Sequence, residues 1–71
     1  MPTRFTHKNY YIDVHIIRRA SSDRELFRPK VDVGPEGGKH LVKIGTSQAF
    51  ADEKDAEACG FELGREWIDR K

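Results

Sequence analysis

The sequence predicts an α+β domain, an antiparallel meander sheet of three or four strands with one C-terminal helix packed on one face. Apolar and polar residues alternate with period two from Tyr10 to Ile17, and turn-forming residues punctuate the chain as far as Gly45. The segment Asp52 to Lys71 then carries helical three- and four-residue spacing between two cap signals. Strands followed by a single helix make a sheet that buries one face under a helical layer.

The first predicted strand is residues 3–7, turned by Lys8-Asn9, because Asn tolerates the left-handed backbone that a two-residue hairpin needs. The second and clearest covers residues 10–19: Tyr10, Ile12, Val14 and Ile16 alternate with Tyr11, Asp13, His15 and Ile17. Ala20 to Glu25 reads as a polar connector. Residues 26–33 form the third strand, with Phe27, Val31 and Val33 set against Arg28, Lys30 and Asp32. Pro29 cannot donate to a ladder, so this strand is an edge, is bulged there, or is paired there on one side only. Gly34-Pro35-Glu36-Gly37-Gly38 is a dense turn signal, and residues 40–45, with Val42 and Ile44 on one side, form the last strand.

The predicted helix spans residues 52–69. Asp52 is the candidate N-cap, Glu53 and Asp55 suit the positive end of the dipole, and Arg70 and Lys71 suit the negative end. Ala56, Cys59, Gly60, Leu63 and Trp67 form the expected apolar stripe, opposite Lys54, Glu62, Arg65 and Asp69. Gly60 and Gly64 each cost about 1 kcal/mol of helix propensity relative to Ala, which points to close approach of the helix to the sheet. Phe61 and Ile68 fall on one flank of the stripe, either as part of a wide buried face or as an apolar margin for a partner. Trp67, Leu63 and Ile12 are expected to be buried.

With 71 residues, the chain has room for one small domain, residues 1–71, whose stability margin is thin. No apolar run approaches membrane-spanning length, and Met1-Pro2-Thr3-Arg4 leads into no signal-peptide core, so a cytoplasmic location is expected. The lone Cys59 excludes an internal disulfide and reads as a small packing residue rather than a reactive thiol. A net charge of +1 conceals an asymmetry. Residues 1–51 hold nine Lys or Arg against five Asp or Glu, whereas residues 52–71 hold four against seven. The strand half is basic and the helix acidic.

Few chemistries suit these residues. Gly34 to Lys39 lacks the spacing, the following Ser or Thr, and the following helix of a phosphate-binding loop. His7, His15 and His40 are scattered one to a segment, without the paired spacing of a metal site. His15 and Asp13, two residues apart on one strand face, read as a solvated pair rather than acid–base machinery, and Ser21, Ser22 and Ser47 lack the context of an activated nucleophile. No catalytic residue, cofactor or metal is expected, and the chain reads as a non-enzyme.

Tyr10-Tyr11-Ile12, Phe27-Arg28, the glycine turn, Phe50, Ala56 and Gly64-Arg65-Glu66-Trp67-Ile68-Asp69 follow one another in an order that resembles a set of small bacterial single-domain proteins of unknown function. More distantly, the order resembles the HlyU-type transcriptional activators. These landmarks are core and turn residues. The resemblance therefore implies a fold, and a regulatory or binding role in a bacterial cytoplasm, but carries over no functional residue.

If Tyr10, Ile12, Val14 and Ile16 face the helix, then Tyr11, Asp13, His15, Ile17, Arg19, Arg28, Lys30, Asp32, Leu41 and Lys43 face away from it. Cations mixed with exposed aromatic and aliphatic side chains suit a protein partner or a homodimer. They also suit nucleic acid, whose phosphates meet cations and whose bases stack on aromatics. No membrane partner is expected.

Overall fold

In the computed structural model, which describes residues 3–21 and 23–71, four antiparallel strands lie side by side in chain order. They are β1 (Thr3–His7), β2 (Tyr10–Ser21), β3 (Arg24–Pro35) and β4 (Val42–Gly45), and the helix α1 (Glu53–Asp69) follows them. Lys8 and Asn9 take φ of 50° and 69°, the left-handed pair that matches strand twist in a two-residue hairpin. That turn pairs His7 with Tyr10 and therefore Arg4 with Asp13.

The polar connector expected from Ala20 to Glu25 does not exist as such. β2 and β3 run on until Ser21 pairs with Arg24, because each further row satisfies backbone groups that a loop would leave to water. Ser22, weighed above as a nucleophile, lies outside the described residues, as do Met1 and Pro2. β4 begins two residues later than expected, since His40 and Leu41 belong to the loop that leads into it.

Pro29 sits in a central strand by being paired on one side. Phe27 and Phe50 exchange both backbone hydrogen bonds, at 2.7 and 2.8 Å, on the β4 side of β3. Two residues on, Pro29 turns its nitrogen to that same side, where the ladder to β4 has ended at Lys30 and Gly45. No bond to β2 is lost.

One face of the sheet is covered by α1. Ile12, Val14, Val31, Val33 and Ile68 make the core, flanked by Phe5, Tyr10, Ile16, Val42, Ile44, Phe61, Leu63 and Trp67. Asp52 caps the helix by accepting from the Lys54 N–H at 2.8 Å. The stripe that touches the sheet is Ala56, Gly60, Gly64 and Ile68, not the expected line through Cys59, Leu63 and Trp67. The glycines decide the rotation. Gly60 lies on Val14 and Gly64 on Ile12, so close that a Cβ on either would stand 2.6 or 2.5 Å from a buried methyl. With the bare backbone facing the sheet, Leu63 and Trp67 become half-buried shoulders and Cys59 is half-buried.

The two residues expected on an apolar flank separate. Ile68 is buried in the core, while Phe61 is half-buried with its ring 4.8 Å from that of Phe5. Neither forms a free margin, because β1 reaches the helix there; Thr3 Oγ1 donates to Glu57 at 2.8 Å, and His7 and Lys8 meet Asp69 at 2.8 and 3.0 Å.

Helix and strand do not match in length. Seventeen helical residues rise about 26 Å, whereas twelve strand residues reach about 40 Å, in keeping with a long dimension of 41 Å. The end of the β2–β3 hairpin therefore projects beyond the helix as a two-stranded ribbon.

Candidate functional site

Strand alternation puts one set of side chains on the sheet face opposite the helix, and cross-strand register sorts them into rows. Arg4, Asp13, Asp32 and Lys43 are successive partners across all four strands. This row of two carboxylates between two cations is the axis of the open face. On one side of it lies the row Thr6, Tyr11, Gly34; on the other lie His15 with Lys30, then Ile17 with Arg28, then Arg19 with Leu26.

The carboxylates are not solvated as expected. Asp13 and Asp32 are only 6% and 8% exposed. Asp13 is gripped by Arg4, whose Nε and second guanidinium nitrogen donate at 2.6 and 2.8 Å. His15 pairs with Asp32, at 3.3 Å from Oδ2, rather than with Asp13. The other oxygen, Asp32 Oδ1, is buried without a hydrogen-bond partner. Asp32 is thus the less satisfied member of a like-charged cross-strand pair.

Tyr11 is another correction. Placed on the open face by its parity, it is nevertheless 4% exposed. Its cross-strand partner Gly34 has no side chain, so the Tyr11 hydroxyl comes within 2.6 Å of where a Cβ on Gly34 would stand. There the hydroxyl lies 2.9 Å from His40 Nδ1 and 3.3 Å from the Gly38 carbonyl oxygen, and Arg4 stacks 4.3 Å above the ring. The tyrosine clips the Gly38–His40 loop to the sheet, and it is not available for stacking on a base.

What remains exposed is cationic and aliphatic. Ile17 and Leu41 are 47% and 57% exposed, and Lys30, Lys43 and Arg19 are open to solvent. Arg28 is half-buried, and none of these four cations makes an ion pair among the described residues. Ile17, Arg19, Leu26, Arg28 and Ala49 line a cleft of about 360 Å³ at the root of the ribbon. The structure thus brings His15, Ile17, Arg19, Arg28, Lys30 and Lys43 onto one surface, with Leu41 at its margin and Tyr11 beneath it. Sequence reasoning missed Arg4, Leu26 and His40 as members. Among the described residues, no group of three or more His, Cys, Asp or Glu side chains is placed to hold a metal ion. Likewise, no helix there is long and apolar enough to cross a membrane.

Two carboxylates tie acid stability to this packing. The Arg4 guanidinium holds Asp13 below the usual carboxylate range, and hydrogen bonds from His7 and Lys8 lower Asp69 to about 2. A depressed folded-state pKa contributes stability that is complete above the unfolded value, near 4, and is lost as pH falls toward the folded one. The urea midpoint is therefore expected to hold steady down to about pH 5 and to fall between about pH 4 and pH 2. In Arg4→Gln the acid-side fall should be shallower, although the variant starts from a lower midpoint. An unchanged slope in Arg4→Gln would remove Asp13 from this account.

No protein-family model, curated protein or solved structure matches the chain.

Proposed function

We propose that this chain is a non-enzymatic protein-interaction module that works through the open face of its sheet. One observation carries the reading: the acids of that face are buried, while Ile17 and Leu41 are exposed and Arg19, Arg28, Lys30 and Lys43 have no ion partner among the described residues. Arginine is among the residues enriched at binding hot spots, and the face stays positive because Arg4, Arg19, Arg28, Lys30 and Lys43 outnumber its two carboxylates, Asp13 and Asp32. A partner of matching chemistry presents carboxylates around an apolar centre. A second copy offers the carboxylates through its helix, where Glu53, Asp55, Glu62 and Glu66 are exposed. The likeness of the chain's landmarks to HlyU-type activators supports a regulatory setting in a bacterial cytoplasm.

Chemical-shift mapping of the labelled protein in cell extract tests the reading. The affected amides should cluster on Arg19, Arg28, Lys30 and Lys43, and Arg28→Glu with Lys30→Glu should weaken the contact at least about tenfold, or 1.4 kcal/mol. Shifts confined to the helix, or untouched by the double reversal, would sink it. So would a strict monomer at high concentration with no partner in a pull-down.

A second reading, a nucleic-acid-binding regulator, has its own support in the projecting ribbon with Arg18, Arg19, Arg24 and Arg28, since a duplex major groove admits a two-stranded ribbon. Titration with single- and double-stranded oligonucleotides at low salt separates the two. Binding that falls steeply with salt and disappears in the same double variant assigns the face to phosphates.

A further inference from the structure

The open face has a neighbour with different chemistry, the free edge of β2. Among the described residues β1 pairs with β2 only as far as Val14, so beyond it β2 has β3 on one side and no strand on the other. Two independent observations say which backbone groups face that edge. In the two-residue hairpin, His7 and Tyr10 form the closing pair, so Tyr10 directs its N–H toward β1, and Ile12, Val14, Ile16, Arg18 and Ala20 follow by alternation. From the other side, Phe27 gives both backbone groups to Phe50, so its partner on β2, Arg18, turns away from β3. Arg18 and Ala20 thus offer donors and acceptors to an incoming strand.

We infer that the β2 edge from Ile16 to Ala20 docks an extended acidic peptide as an added strand. The inference rests on the chain being an interaction module and names the partner's form. Charge selects the occupant. Arg19 stands on the open face with no ion partner among the described residues, and Arg18 meets a carboxylate, Glu25, at 3.1 Å. A second copy pairing antiparallel along this edge, in any register centred on Arg18 or Arg19, would set arginines beside arginines, which opposes self-pairing. A peptide with carboxylates opposite these two and an apolar residue beside Ile17 meets the opposite sign. It also sets that apolar side chain against Ile17, which is 47% exposed. Backbone bonds give such a contact its affinity, and alternate side chains give its specificity. The helix leaves room, because its tie to β1 through Glu57 and Thr3 lies level with Val14.

The probe is an end-capped heptapeptide, Thr-Val-Glu-Glu-Val-Thr-Val, titrated into the labelled full chain; paired antiparallel, its adjacent glutamates fall opposite Arg19 and Arg18 and the next valine beside Ile17. The Arg18 and Ala20 amides should shift and gain at least about tenfold protection from hydrogen exchange. Two control peptides should bind at least tenfold more weakly: one with lysine for glutamate, and one N-methylated at alternate residues, which keeps the charge but cannot add as a strand. Ala20→Pro removes an edge donor while leaving the bonds to β3, and Arg19→Glu reverses a charge; each should weaken binding by a similar factor with core amide shifts unchanged. The inference is overturned if the N-methylated or lysine peptide binds equally well, if a single-stranded oligonucleotide gives the same protection, or if the edge amides do not respond. Shifts confined to Lys30 and Lys43 without protection at Arg18 and Ala20 defeat the strand addition and leave the broader reading standing. No response to any partner anywhere on the face defeats both.

Discussion

Replacing Gly64 with alanine is expected to destabilise the domain by about 1–3 kcal/mol, the usual range for overpacking, although alanine is the better helix former by about 1 kcal/mol. A Cβ there would lie 2.5 Å from Ile12 Cγ2 and 3.0 Å from Cγ1. Ile12 is fully buried between its strand neighbours Phe5 and Val33, so it cannot swing aside. The helix must rise off the sheet, and contacts along the whole line from Ala56 to Ile68 loosen together. Gly60→Ala meets Val14 at 2.6 Å and should behave alike. Urea denaturation checks both, with the exposed Ala58→Gly reporting propensity alone as a loss of about 1 kcal/mol. Shortening the opposing side chain supplies the decisive control. Ile12→Ala is costly by itself, but combined with Gly64→Ala it should cost less than the sum of the two, because the added methyl enters the space vacated. A raised midpoint in Gly64→Ala would mean that the helix is not seated on its glycines. For a domain whose whole stability is on the order of 4–10 kcal/mol, the double glycine replacement should remove roughly half of that margin.

How far such packing can be read from residues depends on which signal sets the register. Lys8-Asn9 is a two-residue turn with a recognisable residue in it, and once His7 faces Tyr10 the partnership of Arg4 with Asp13 follows by counting. At the other hairpin no glycine or asparagine marks the turn between Ser21 and Arg24. The polar run from Ala20 to Glu25 looked like a loop, and with the count lost the meeting of Asp13 with Asp32 could not be anticipated. Alternation assigned Tyr11, Asp13 and Asp32 to the correct face. It could not report their burial, because what covers Tyr11 is a loop, fixed by Gly34 being unable to fill the space beside the ring. The helix was placed within a residue by its cap, yet its rotation was misjudged. Hydrophobicity favours Leu63 and Trp67 as the contact line, whereas closest approach favours residues without side chains.

The second large effect concerns Asp32, and its expected sign is opposite. Asp32→Asn should stabilise the domain by about 1–2 kcal/mol, because it removes a buried charge facing Asp13 and supplies an amide donor beside that carboxylate. Oδ1 has no hydrogen-bond partner to lose, and the His15 contact at 3.3 Å persists in part with a neutral acceptor. A higher urea midpoint, with the Arg4–Asp13 pair intact by the chemical shifts of their side chains, is the expected result. A lower one would show that Oδ1 is met by a donor in solution and that the four-residue row is a structural device. The stabilising outcome has a functional reading. A chain whose stability margin is thin carries, at the centre of its open face, a residue less stabilising than its own amide, as binding surfaces often do. The carboxylate holds His15 beside Lys30 on the exposed surface and stands opposite Lys43 in the row. Asp32→Asn should therefore bind partners of the open face more weakly even as it folds more tightly, whereas Gly64→Ala should weaken binding only in proportion to the fraction unfolded.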